Sequence, residues 1–354
     1  VGSEMCIRDR STLDKSRKGG AYEQIPSLVL GQRWTPQLNS RNMMKVVLCV
    51  WIEPYIETDL SFCVWPVHTP TTSKEVLTLS ASTSPLPYTG NKSCIVNTIL
   101  SVMPKHTVYI DPCMGSAEVF FRKPRAEKEI LNDYNGDLVN LFRVIQNNEK
   151  LAYLLGRLYL SINGELAFKQ NKDRLKGVPN ILDDVIETSQ IFYDASWEDI
   201  QNAAAFLENQ VYSFSSTGQT FGIARRDMSQ RLPRLMSAYN RIRDAIILHR
   251  DYKDVITYAA CPGSFILLDP PYKGTEDMYS KANFDIEQHD ILFSFMSEVN
   301  QQHHGEVKFL ITYNNGPYIR GLAEKHGFDT FVQTRLHSMK PVSYTHLTLP
   351  TILL

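Results

Sequence analysis

Four consecutive residues, Asp269-Pro270-Pro271-Tyr272, place a carboxylate, a backbone carbonyl and an aromatic face side by side. An exocyclic amine on an aromatic base is a poor nucleophile, because its lone pair is delocalised into the ring. A carboxylate and a fixed carbonyl that each accept one of its hydrogens pull the nitrogen toward tetrahedral geometry and expose that pair. Proline fixes φ, so the Pro270 carbonyl is held rigidly, and Tyr272 offers a π-face on which a base can stack. The same residues also read as a Pro-Pro turn with a structural tyrosine.

A second group lies earlier in the chain. Asp111-Pro112-Cys113-Met114-Gly115 follows the apolar run Thr107–Asp111. Glycine at such a turn lets backbone approach a ligand, and the helix start beyond it offers amide donors. Asp133 closes the next apolar run, where a carboxylate in α/β folds accepts ribose hydroxyls. A plain turn at Gly115 and an N-cap aspartate at 133 are the alternatives. The G-x-G-x-x-G fingerprint is absent, which argues against a nicotinamide dinucleotide.

The elements that must hold these groups alternate. Thr107–Asp111, Glu129–Asp133, Ser264–Asp269 and Val307–Tyr313 are short buried-strand candidates, and Leu138, Leu141, Phe142 and Ile145 recur at helical spacing between them. A further helix is expected over Glu287–Asn300. Buried strands separated by helices predict a mostly parallel sheet covered on both faces. Between Glu149 and His249 helical patterns replace strands, notably at Leu151–Leu160, Ile181–Phe192 and Leu232–Ala245. The expected fold is therefore α/β, with residues 85–148 and 246–340 as the core and 149–245 as a helical insertion.

The sequence 269–272 matches the [DNS]-P-P-[YFW] motif of amino-group methyltransferases. Upstream, Pro87-Tyr88-Thr-Gly90-Asn-Lys92-Ser resembles the aromatic-x-Gly-x-Lys motif of Dam-like DNA adenine N6-methyltransferases. The motif order also resembles that family, with smaller matches at Arg250-Asp251-Tyr252, at Tyr279, Phe284 and His289, and at Ile311-Thr-Tyr-Asn314. The resemblance implies a Rossmann-like methyltransferase sheet with a target-recognition insertion and S-adenosylmethionine as cofactor. It implies catalysis by Asp269, Pro270 and Tyr272, and cofactor contacts from Tyr88, Gly90, Lys92, Asp111, Pro112, Gly115, Asp133, Asp251 and Asp269. A helix N-cap is the equal alternative for Asp251. Gly115-Ser116-Ala117 departs from the family's glycine-rich turn. Methylation of RNA or of a protein glutamine shares the amine chemistry. A cytosine C5 mechanism would need a nucleophile such as Cys113, which lies in the cofactor turn instead. An inactive DNA-binding fragment is the alternative outside the enzymes.

The formal net charge of -1 hides a local bias. Gln219–Arg250 contains seven arginines against only Asp227 and Asp244. Arginine suits bidentate contact with phosphate or guanine. Arg225, Arg226, Arg231 and Arg234 are the candidates for double-stranded DNA, beside a Ser/Gly-rich loop with Phe214 and Phe221. Arg241 and Arg243 read as solvated helix residues. The 6 cysteines are scattered without C-x-x-C spacing, so no metal is expected and the thiols suit a reducing cytosol. No apolar run approaches the roughly 18–20 residues that span a bilayer. The expectation is a monomeric cytoplasmic enzyme of prokaryotic or phage origin.

The ends read differently. Residues 1–10 and 342–354 resemble translated sequencing-adaptor sequence, which would leave the enzyme truncated near Lys340. Residues 11–84 show no sustained periodicity and are expected to be a disordered or non-native leader. A strand is expected over Thr334–Met339, and the final element that family members carry beyond it is expected to be lost.

Overall fold

The computed structural model describes residues 45–51, 83–184, 195–224, 226–274, 284–334 and 350–353, the first and last of these and residue 334 by backbone alone. Five parallel strands form the centre of the sheet: β2 (Val108–Asp111), β3 (Lys128–Asn132), β4 (Ile246–Leu248), β5 (Ser264–Leu268) and β6 (Lys308–Asn314). Their order is β4-β3-β2-β5-β6, with β2 paired in parallel to both β3 and β5. This is a Rossmann-like arrangement that reverses direction between β2 and β5, where open α/β sheets bind ligands beyond the strand ends.

The strands lack polar alternation because both faces are covered. Tyr109, Leu131, Phe265, Leu267 and Leu310 point into one apolar cluster. Ile110, Ile130, Ile266, Leu268 and Ile311 point into the other. Helices α8 (Tyr252–Ala259), α9 (Ile286–Gln302) and α10 (Pro317–Lys325) cover the second face through Val255, Phe293, Met296 and Ile319. Helices α1 (Val96–Val102), α2 (Glu118–Arg122) and α3 (Gly136–Gln146) cover the first.

The insertion supplies α4 (Asn148–Tyr159), α5 (Glu165–Lys176), α6 (Trp197–Tyr212) and α7 (Leu232–Ile242). It joins the first-face core rather than standing apart. Helix α6 begins in a capping box between Ser196 and Asp199 and buries Ala203, Ala204, Leu207 and Val211 in the same cluster as Phe142 of α3. Its alanines remove side-chain bulk where two helix backbones meet.

Several expectations shift. Strand β4, only three residues long, gives too little pattern to be read from sequence. Residues 181–184 are not helical, and the rest of the expected helix to Phe192 lies outside the described residues. The last core strand is β7 (Asp329–Thr334), earlier than Thr334–Met339, most of which is likewise not described. Within the expected leader, β1 (Lys45–Trp51) takes strand backbone parallel to β6 and β7. Within the expected tail, β8 (Pro350–Leu353) lies antiparallel to β6. Both are short apolar runs, and Val, Ile and Trp favour the half-buried pleated surface.

Arg241 corrects the reading of a solvated helix residue. It is 8% exposed, donates twice to Glu129 of β3, and stacks 3.7 Å from the Phe120 ring centroid. Lys123 also donates to Glu129, at 2.5 Å, and lies 4.4 Å from the Tyr109 centroid. Burial alone would raise the Glu129 carboxyl, but hydrogen bonds from Arg241 and Lys123 outweigh it and hold the group below its ordinary value. Removing one partner strands the others' charge, so Glu129→Ala is expected to destabilise the fold by about 3–5 kcal/mol. Arg243→Ala, at an exposed position, should stay within about 0.5 kcal/mol of the parent. Urea unfolding checks both, and equal losses would contradict the buried cluster.

Candidate active site

Three carboxylates stand at the carboxyl ends of neighbouring strands: Asp133 just after β3, Asp111 at the end of β2 and Asp269 just after β5. They line one cavity of about 880 Å³ together with Tyr88, Gly90, Lys92, Pro112, Gly115, Asp251 and Pro270. The structure thus brings together every residue that the resemblance implied for the cofactor and for catalysis except Tyr272, which reaches the cavity through Asp269.

Asp133 is fixed by backbone. Its Oδ2 accepts from Gly115 N at 3.0 Å and its Oδ1 from Asn135 N at 2.9 Å. Burial pushes its carboxyl up to about 6, against these amide donors. Asp111 is more deeply buried and accepts from the Tyr109 hydroxyl at 2.9 Å. Burial raises it to about 8, against that hydrogen bond and Lys92, while Asp269 and Asp133 add repulsion.

The turn between Asp111 and α2 needs unusual backbone. Gly115 has φ +47, and an added Cβ would meet the Tyr88 ring at 3.7 Å. Ala117, the N-cap of α2, is also left-handed, with φ 54 and ψ 29. A left-handed alanine costs about 1–2 kcal/mol relative to the right-handed form, so the departure from the family's glycine at this turn stores strain beside the site. Tyr88 packs 6.4 Å from Phe206 of α6, and its hydroxyl accepts from Asn135 Nδ2 at 3.5 Å. Its phenol is raised by burial and by the Asp133 charge.

Asp269 has the densest partners. Tyr272 donates to Oδ1 at 2.8 Å, Thr312 of β6 donates to the same oxygen, and Lys92 donates to Oδ2. The Lys92 ammonium also donates to the Gly90 carbonyl at 2.7 Å and lies 5.3 Å from the Tyr272 centroid. Asp251 satisfies both readings offered for it: its side chain caps α8 through Lys253 N at 2.9 Å, and the residue lines the cavity.

Sequence reasoning missed Thr312, Asn135 and Asn180 as supports of the site. Asn180, from the insertion, accepts from Gly136 N at 2.8 Å and donates to the Tyr134 carbonyl at 2.9 Å. It ties the loop after β3 to the helical segment. Only the asparagine preceding a helix start carries a local signal, at Asn135.

The arginines divide. Arg226 donates to the Val211 carbonyl and pins the end of α6. Burial lowers the Arg231 guanidinium, and the nearby charges of Arg234 and Arg226 lower it further, so these three form one positive cluster. Arg225 lies outside the described residues, as does Tyr279. Among the described residues no group of three His, Cys, Asp or Glu could hold a metal, and no helix is long and apolar enough to cross a membrane.

The sheet order, with carboxylates gathered at its switch point, defines a Rossmann-like domain. The chain belongs to the D12 class N6 adenine-specific DNA methyltransferase family, whose model matches residues 88–339. Over 258 residues it is 25% identical to the DNA N-6-adenine-methyltransferase of Escherichia phage P1, covering 68% of this chain and 31% of that protein. It is 25% identical over 247 residues to the modification methylase StsI of Streptococcus sanguinis, covering 65% and 35% respectively. It is 22% identical over 255 residues to the type II methyltransferase M.CviBI of Paramecium bursaria Chlorella virus NC1A, covering 68% and 88%. The chain therefore spans about a third of the length of the first two.

Asp111 and Asp133 both lie above the ordinary carboxylate value near 4, so between about pH 4 and 8 the folded chain holds protons that the unfolded chain has lost. Stability then rises as pH falls through these values. Calorimetry of the ligand-free protein should show the melting temperature climbing from pH 8 to pH 6, and Asp111→Asn should flatten the climb near pH 8.

Proposed function

We propose that the chain is a site-specific DNA adenine N6-methyltransferase, transferring a methyl group from S-adenosylmethionine to an adenine turned out of the duplex. The observation that carries this reading is the sharing of one cavity by Asp133, Gly115 and Asp251 with Asp269 and Pro270.

The residues fit the cofactor. Asp133 is held by two backbone amides with lone pairs left over for ribose hydroxyls, and the left-handed Gly115 keeps the turn clear of side chain. Asp251 would meet the adenine end, while Tyr88, Gly90, Lys92, Asp111 and Pro112 would enclose the rest. When bound, S-adenosylmethionine supplies an electrophilic methyl on its sulfonium.

The chain's own residues prepare the nucleophile. Asp269 and the Pro270 carbonyl each accept one hydrogen of the adenine amine, and Tyr272, buried behind the cavity wall, holds Oδ1 of Asp269. Lys92 now holds Oδ2 of Asp269, so the incoming amine and the ammonium compete for one oxygen. The Gly90 carbonyl, already a Lys92 acceptor, gives the displaced ammonium a partner. Arg231 and Arg234, with Arg225 and Arg226, would contact DNA phosphates, and exposed Phe214 at the loop before them would fill the gap left by the base. A helical recognition segment over residues 149–245 would suit the major groove of DNA, which admits a helix, better than the deep, narrow one of RNA.

Two measurements test this. With labelled S-adenosylmethionine, unmethylated duplex DNA should gain N6-methyladenine, and Asp269→Ala should lower the rate about 10²- to 10⁴-fold. Label appearing equally in RNA, or persisting in Asp269→Ala, would sink the reading. Separately, Arg231→Ala and Arg234→Ala should each reduce the salt slope of DNA affinity by about 0.9; an unchanged slope removes those residues from the interface.

A further inference from the structure

Strand β6 is buried from Phe309 to Asn314, and Thr312 carries a hydroxyl that is 0% exposed within it. Alternation puts Thr312 on the same sheet face as Leu310, where an aliphatic residue would complete the core. A hydroxyl that deep needs an acceptor. Two are in reach: the Leu268 carbonyl at 3.4 Å and, closer, Asp269 Oδ1. One proton cannot serve both fully, and the charged oxygen is the stronger acceptor.

Register explains the meeting. Leu268 of β5 is paired with Ile311 of β6, so the next residues along, Asp269 and Thr312, stand side by side where β5 ends. Tyr272, three residues beyond Asp269, donates to the same Oδ1 at 2.8 Å. Two donors from different elements thus occupy one carboxylate oxygen. Oδ2, bonded to the Lys92 ammonium, remains the oxygen that can exchange partners. A carboxylate is planar, so fixing Oδ1 also fixes the direction in which Oδ2 points.

We propose that Thr312 is a positioning residue for methyl transfer: its hydroxyl locks the plane of the Asp269 carboxylate and reserves Oδ2 for the adenine amine. This rests on the reading of Asp269 as the amine's acceptor. The role differs from packing, because threonine and valine have nearly the same shape and only the donor distinguishes them.

The test uses the full chain in single-turnover methylation of duplex DNA. Thr312→Val should slow transfer about ten- to a hundredfold, the span of one hydrogen bond to a charged group. Affinities for S-adenosylmethionine and DNA, and the melting temperature, should stay near the parent's. Thr312→Ser restores the donor without the methyl, and its rate should return to within about threefold of the parent. A parent-like rate in Thr312→Val overturns the proposal, and so does an equal loss in Thr312→Ser. Thr312→Ala makes the same comparison should the valine variant not fold. Crystals of parent and Thr312→Val decide the point without turnover: a rotated Asp269 carboxylate supports it, and an unchanged one overturns it. A parent chain that transfers no methyl to adenine would refute the activity, leaving the crystals to judge Thr312.

Discussion

The site is arranged around the cost of gathering three carboxyls in one cavity. Parallel strands of similar length end in one row, and here three of them end in aspartate. Withdrawing carboxyls from water is costly, and any that stay charged also oppose one another. The fold answers with a separate donor set for each. Backbone amides of the Gly115 and Asn135 turns hold Asp133, the Tyr109 phenol holds Asp111, and Lys92 with two hydroxyls holds Asp269. Each donor comes from a different element, so the sheet order, the turns and the segment before α1 must all be in place for the row to exist.

The same logic shows why the Asp-Pro-Pro-Tyr turn is not self-sufficient. Its prolines fix backbone direction, but the carboxylate's rotation is free until something distant constrains it. That constraint comes partly from Tyr272, within the turn, and partly from Thr312 across the strand pair. The second apolar face, with Phe293 stacked at 5.8 Å on Tyr313, holds β6 at the register that allows it.

Legibility in the sequence depends on distance along the chain. Asp269 to Tyr272, Gly115 and the strands around them are local patterns with local causes, and they stand where expected. Glu129 and Arg241 are 112 residues apart, and nothing near either announces the other; an arginine on a helix reads as solvated until its partner strand is known. Thr312 sat inside a recognised run, Ile311-Thr-Tyr-Asn314, but its role depends on a register that one strand cannot show. Strand β4 is too short for any period, and Asn180 acts through a loop with no pattern at all.

The helical insertion has a consequence for how this scaffold could change. Because α6 shares its core with α3, and Arg241 of α7 is buried against β3, the segment is not a cassette that can be exchanged whole. Transplanting another relative's insertion would mean matching alanine positions, a guanidinium and an asparagine to a foreign sheet. Diversification is therefore channelled into the surface between Ser213 and Arg234, where Phe214 and Ile223 are 64% and 98% exposed. Small edits are accommodated there, while the buried helices act as a fixed chassis.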